Sequence, residues 1–196
     1  LSESGKERPK TLQLDQVELG VNYALVISTN GGLWRYLIGD TVQFTTLSPY
    51  RIRVSGRTKH YINAFGEELI VENAEQAISI ASHKSGAIVK EYSAAPRYMD
   101  ENGAGAHEWL VEFDKEPNDL GYFAEMLDNA LKNVNSDYEA KRYHDKVLRL
   151  PVINTVPSGT FYRWMKDKGK LGGQHKVPRL SNDREYIDEI IKFKHA

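Results

Sequence analysis

The sequence predicts an α+β protein: short antiparallel strands first, then a small unit with a three-stranded sheet and four to five helices. Three observations carry this. Residues 21–56 are rich in β-branched and aromatic residues and are spaced by turns, the clearest of them at Asn-Gly-Gly. From residue 71 onward, apolar residues recur at three-and-four spacing between short apolar runs. Between these regions, "GRTKHYINAFGEEL" (56–69) marks a change of character.

In the first region, "VNYALVIST" (21–29) reads as a strand, and "NGG" after it is a hairpin signal. "LWRYLIG", "TVQFTTL" and "YRIRVSG" follow as three more short strands, with Ile52 and Val54 alternating with arginines. Four strands spaced by turns suggest an antiparallel sheet or a barrel segment. The break between the second and third falls at Asp40.

The second region begins with a helix over 71–85. Ala74, Ala77, Ile78 and Ala81 form its stripe and Gly86 its stop. "AIVKEYSAA" (87–95) and "EWLVEF" (108–113) are strands around the loop "DENGAGA", with Trp109, Val111 and Phe113 on one face. A helix from Asp119 carries Leu120, Phe123, Leu127, Ala130 and Leu131. A short helix over 136–145 and a strand over 147–153 come next. A helix over 158–170 is capped by Ser158. The last, 183–194, has Asn182 as N-cap and Glu185 three residues on, a capping-box pattern, with Ile187, Ile190 and Ile191 as its stripe. The order has a ferredoxin-like character. The predicted boundary lies at Arg57 to Lys59, giving units of 1–57 and 58–196.

Composition narrows the function. The 196 residues suffice for one medium domain or two small ones. With no cysteine there is no disulfide framework, thiolate metal site or cysteine nucleophile. The net charge of −1 argues against a nucleic-acid partner. No apolar run reaches the ~20 residues of a membrane span. Leu1-Ser2-Glu3-Ser4-Gly5 has neither a signal-like apolar stretch nor a methionine. The simplest expectation is a soluble cytoplasmic protein, a piece of something longer or a processed product.

Asp40 and Arg57 are the first candidate pair. Each ends a predicted strand, and a meander between them would bring both to one mouth. A carboxylate accepts two hydrogen bonds from a vicinal diol, as in ribose, and an arginine beside it can contact ribose or phosphate oxygens. Equally, Gly39-Asp40 is an ordinary turn and Arg57 a solvated strand end. A second candidate is the basic stretch 163–179, where six Lys and Arg face one acid, Asp167. "KGKLGGQHK" reads as a mobile loop whose lysines suit a phosphate, or simply as a solvated loop. It does not match a Walker phosphate loop. The six histidines show no metal-ligand spacing, so no metal site is expected. Glu67-Glu68 is either an acid/base pair or a cap for the helix after it.

Three stretches together point to a family. "LWRYLIGD" (33–40) resembles the "YRYRVGD" signature of the Gretchen-Hagen-three family, the plant auxin-responsive acyl acid amido synthetases and their bacterial relatives. "SGRTKHYINAFGEEL" (55–69) resembles the hinge motif of the wider adenylate-forming superfamily. "SGTFYRWM…GGQHKVPRL" (158–180) is similar to the family's C-terminal "GTF…NQYKVPR". The resemblance, to a bacterial-type member, runs over most of the chain in order.

It implies a two-step ligase reaction. A carboxylic acid attacks the α-phosphate of ATP, with Mg2+ present, and an amine, usually an amino acid, then displaces AMP. It implies that Asp40 binds the ribose hydroxyls, that Arg57 and Tyr36 belong to the same nucleotide site, that Lys59 is the hinge and that Lys176 reaches the α-phosphate. Lys168 and Lys170 are the fallback lysines. The chain departs from the pattern in His175, where relatives have tyrosine, and in Glu68, near which plant members carry a basic residue. The family's Ser/Thr/Gly phosphate loop, adenine-stacking aromatic and acyl pocket belong to a large N-terminal domain and are not in these residues. The resemblance thus implies a C-terminal fragment: the end of a large barrel-like domain plus a mobile lid, inactive alone and partnered by the missing N-terminal domain. The alternatives are a non-catalytic α+β binding module and a related acyl-CoA-type ligase.

Overall fold

The computed structural model describes residues 9–58, 60–98, 104–171 and 176–194, with Arg57 and Lys194 described by their backbone alone. Among these residues the fold is α+β, as the sequence predicts. A three-stranded antiparallel sheet comes first, in the order β1 (Asn22–Ile27), β2 (Tyr36–Leu47), β3 (Tyr50–Arg57). A two-stranded hairpin follows, β4 (Tyr61–Ile62) and β5 (Leu69–Ile70). The body is α1 (Val71–Ser85), β6 (Ile88–Tyr98), β7 (Gly105–Lys115), α2 (Leu120–Val134), α3 (Ser136–Arg142), β8 (Val152–Val156), α4 (Thr160–Asp167) and α5 (Glu185–Lys194). Its sheet is mixed: β6 and β7 are antiparallel, β7 and β8 parallel.

The body has two cores, one on each face of this sheet. Trp109, Val111 and Phe113 of β7 meet Ala74, Ala77 and Ala81 of α1 and Phe123, Leu127 and Leu131 of α2. Leu110 of β7 meets Phe161, Trp164 and Met165 of α4 and Ile187 and Ile190 of α5. The period-two alternation of one strand thus feeds both layers. α1 has the predicted bounds and stops at Gly86, in the left-handed region at φ 69°. α2 is capped by Asp119, whose side chain accepts from Tyr122 N–H. No helix among the described residues is long and apolar enough to cross a membrane.

Four local expectations are corrected. The predicted second and third strands are one strand, β2, running through Gly39 and Asp40. The third strand of the body starts at Val152 rather than 147. Pro151 has no N–H for a ladder, and Leu148 instead makes an isolated bridge to Gly105. Ser158 does not cap α4, because its hydroxyl accepts from Lys90 Nζ at 3.2 Å. Asn182 does not cap α5. Its Oδ1 accepts from Asn63 N–H at 2.7 Å, and Asp183 Oδ1 takes Glu185 N–H instead.

The hairpin is fixed to the body by a buried pair. Glu67 and His107 are both fully buried, with Oε1 and Nε2 2.7 Å apart. Glu67 Oε2 also accepts from Phe65 N–H at 2.8 Å. Asn135 Nδ2 donates to Glu67 O at 2.9 Å, while its Oδ1 caps α3 by accepting from Tyr138 N–H. The Glu67 carboxylate thus holds the hairpin and does not cap α1. His107→Phe would leave the Glu67 carboxylate buried without its partner, which costs about 3–5 kcal/mol. Urea unfolding should show that loss, and Glu67→Gln added to it should recover part. A His107→Phe stability within about 1 kcal/mol of the parent would refute the pair's role.

Candidate functional site

Asp40 lies in a bulge. β1 and β2 pair Ala24 with Thr41 and Val26 with Leu37. Between those pairs β1 contributes Leu25 alone, whereas β2 contributes Ile38, Gly39 and Asp40. Gly39 sits at φ 94°, which an L side chain rarely adopts. On the other edge the Cα partner of Asp40 is Arg57 and that of Thr41 is Gly56, before the ladder to β3 shifts register at Val42. Thr58 closes the corner, its N–H and hydroxyl both donating to Gly39 O at 2.8 and 3.2 Å. Bulges re-aim side chains and gather at the edges of sites. Tyr36, about half exposed, starts β2 on the far side of the bulge, as the Cα partner of Ile27.

Lys176 is exposed and lines a separate groove of about 590 Å³. Its neighbours there include Lys90, Glu112, Lys170, Glu91 and Arg179. Val71 and Glu75 of α1 form part of the same wall. Of the fallback lysines, Lys170 reaches this groove, whereas Lys168 is tied to Glu189 at 2.6 Å. The predicted hinge residue Lys59, and His175 with the glycines before it, lie outside the described residues.

The two places meet at the start of α1. A Cβ on Gly56, beside Arg57 in β3, would lie 3.9 Å from Val71 N. Arg53 of β3 pairs with Glu72 at 2.6 Å. So Asp40 and Arg57 are together at one end of β3, and α1 stands between that corner and Lys176.

Glu112 is the residue that shapes the groove. Buried in β7, its carboxylate accepts from Gly159 N–H at 2.7 Å and Phe161 N–H at 3.3 Å, so it caps α4 from a distance. Lys90 lies 3.0 Å away. Gly159, at φ 82°, turns the backbone so that these amides point back at β7. Burial pushes the Glu112 carboxyl up, but the bonds from Gly159, Lys90 and Phe161 outweigh it and leave it below the ordinary carboxylate range.

Known proteins now bear on these features. The family model described as GH3 family C-terminal domain matches residues 72–185, more than half of the chain. That described as GH3 family central domain matches residues 1–57. This chain belongs to the GH3 family. Among curated relatives of this GH3 chain, the indole-3-acetic acid-amido synthetase GH3.3 of Arabidopsis thaliana is 28% identical over 186 residues, covering 88% of this chain and 31% of that protein. The amido synthetase GH3.4 of the same plant is 27% identical, covering 90% and 32%. The chain therefore spans about a third of the length of these relatives. The solved GH3.15 acyl acid amido synthetase superposes with a TM-score of 0.68 at 19% identity, over 94% of this chain and 35% of that one, which shows the shared fold.

Sequence reasoning missed Lys90, Glu91 and Glu112 in this GH3 groove, whereas Arg179 belongs to the basic stretch and the motif that also carry Lys176. One signal was available: acids at 108 and 112 inside an apolar strand buried on both faces must find partners. Because the folded pKa of Glu112 is depressed, its stabilisation is complete above the unfolded value near ~4.3 and is lost as pH falls through the folded one. Glu112→Gln should thus cost about 1–2 kcal/mol at neutral pH, and that deficit should shrink as urea unfolding is repeated down to about pH 3. A deficit that is constant with pH would rule out the charged cap.

Proposed function

We propose that this chain serves as the C-terminal part of an ATP-dependent acyl acid amido synthetase. The observation that carries this is the pairing of Asp40 with Arg57 across the β2 bulge. An ordinary turn aspartate has no need of a strand on either side of it. Relatives named as amido synthetases, matched over most of this chain, support the reading.

In this proposal residues 1–57 close a large domain and 58–196 form the lid that follows it. Asp40 accepts hydrogen bonds from the two ribose hydroxyls, and Arg57 and Tyr36 complete that side of the nucleotide. Lys59 lies at the pivot between the units. Lys176 brings a positive charge to the α-phosphate as the carboxylic acid attacks it, and an amino acid then takes the acyl group. A preorganised positive charge, placed where negative charge develops, lowers the barrier of such a step more than any other single device. Among the described residues no three metal-ligating side chains converge. Magnesium belongs to the proposal as the ion that ATP brings, held by its phosphates. A cytoplasmic setting, where ATP is held, goes with it.

Two substitutions in the whole protein test it. Asp40→Ala should raise the ATP concentration for half-maximal rate by about 10- to 100-fold, the worth of a ~1.5–3 kcal/mol contact. Lys176→Ala should slow acid-dependent ATP–pyrophosphate exchange by about 100-fold or more, with Lys168→Ala within about twofold of the parent. Unchanged kinetics in both Asp40→Ala and Lys176→Ala would overturn the reading. The 196 residues alone should show no such exchange, and robust exchange would refute the division of labour between domains.

A further inference from the structure

Lys176 is three residues from a segment that the body holds firmly. Ala94 N–H of β6 donates to Arg179 O at 2.9 Å, and Ser181 N–H donates to Ala94 O at 3.0 Å. Leu180 and Ala94 form a parallel bridge, so residues 179–181 extend the sheet at the edge of β6. The hydroxyl of Ser93 donates to Pro178 O at 2.8 Å. On the other side of Lys176, Lys170 N–H donates to Met165 O at 2.9 Å.

The Arg179 side chain ties this extra edge to two further elements. Its Nη1 is 3.1 Å from Glu91 on β6 and 3.6 Å from Glu75 on α1. Its guanidinium lies 4.5 Å over the ring of Tyr92, which is fully buried and packs at a tilt against Trp109, ring centroids 5.5 Å apart. One planar cation thus joins two carboxylates on different elements and rests on an aromatic floor. A lysine matches neither the fork nor the stacking.

We propose that Arg179 is a positioning residue, which by gripping Glu91, Glu75 and the Tyr92 face fixes the downstream anchor of Lys176 and so holds that lysine at the groove. Three residues of extended chain reach only about 10 Å, so the anchor sets the volume that Lys176 can search. Without it the edge strand has only its backbone hydrogen bonds to hold it, so it opens more often and loses the contacts that select its register. Burial holds the Glu91 carboxyl above the ordinary carboxylate range, and the nearby Arg179 guanidinium offsets part of that rise. The inference rests on the role proposed for Lys176, but the grip itself is open to a test that does not depend on it.

That test is amide exchange on this chain with Arg179→Gln and Arg179→Lys. The expected result is at least tenfold faster exchange at Ser181 and Ala94 in Arg179→Gln, an intermediate rate in Arg179→Lys, and no change at Leu127 in α2. Unchanged rates at Ser181 and Ala94, or equal acceleration at Leu127, would overturn the grip. In the whole enzyme, per folded protein measured by circular dichroism, Arg179→Gln should lower kcat for ATP–pyrophosphate exchange about tenfold, with KM for ATP within twofold, and Arg179→Lys should restore part. A kcat equal to the parent's beside an inactive Lys176→Ala would sink the positioning role while leaving the site reading intact. An active Lys176→Ala would sink the role proposed for Lys176, and the positioning role of Arg179 with it, whatever the exchange rates show.

Discussion

Glu112 lies in a strand buried on both faces, where its carboxylate has no access to bulk water and must be satisfied by protein donors. An unpaired buried carboxylate is among the costliest features a fold can carry. The available donors are the first amides of α4, turned toward β7 by Gly159, and the Lys90 ammonium from the neighbouring strand. This need fixes where α4 begins, and with it the wall that Phe161 and Met165 give the groove. Glu108, two turns of the pleat earlier on the same face, meets the same need differently. It accepts from Asn154 of β8 at 2.6 Å and pairs with Arg184 at 2.8 Å, just before α5. Two acids in one strand thereby place the two helices of the second core.

Much of the fold was legible because it rests on periodicity. The stripes of α1 and α2 and the alternating Trp109, Val111 and Phe113 are read directly from apolar spacing, and they are the residues that pack. Caps were less legible, because a cap is a competition between local and distant partners. Ser158 and Asn182 have the right chemistry and position, yet Lys90 and Asn63 claim them from 68 and 119 residues away. A sequence pattern records what a side chain can accept and says nothing of which donor the fold will deliver.

The Asp40 break illustrates the same limit in the backbone. A glycine followed by an aspartate signals a positive φ and a loss of alternation, and both are present at Gly39. The signal was real, but a bulge within one strand and a turn between two strands leave the same trace. Pairing with β3 separates them, since Asp40 keeps Arg57 as its partner where a turn would have none. The Lys176 groove was harder still. Its Lys176 and Arg179 share a motif, whereas Lys90, Glu91 and Glu112 come from two separate strands that only tertiary packing brings to it.

The placement of strong and weak contacts bears on how the proposed lid could move against the sheet before it. Glu67, His107 and Asn135 bind the β4–β5 hairpin to the body through buried groups that are expensive to separate. Arg53 and Glu72, which join β3 to α1, are substantially exposed, and such pairs contribute roughly 0–1 kcal/mol. Gly56 approaches Ile70 and Val71 without a side chain to interlock. If a two-step ligase needs its lid to turn between steps, the fold offers little resistance where β3 meets α1 and much within the hairpin. The hairpin, the groove and Lys176 would turn as one body, and the Asp40 corner would stay behind.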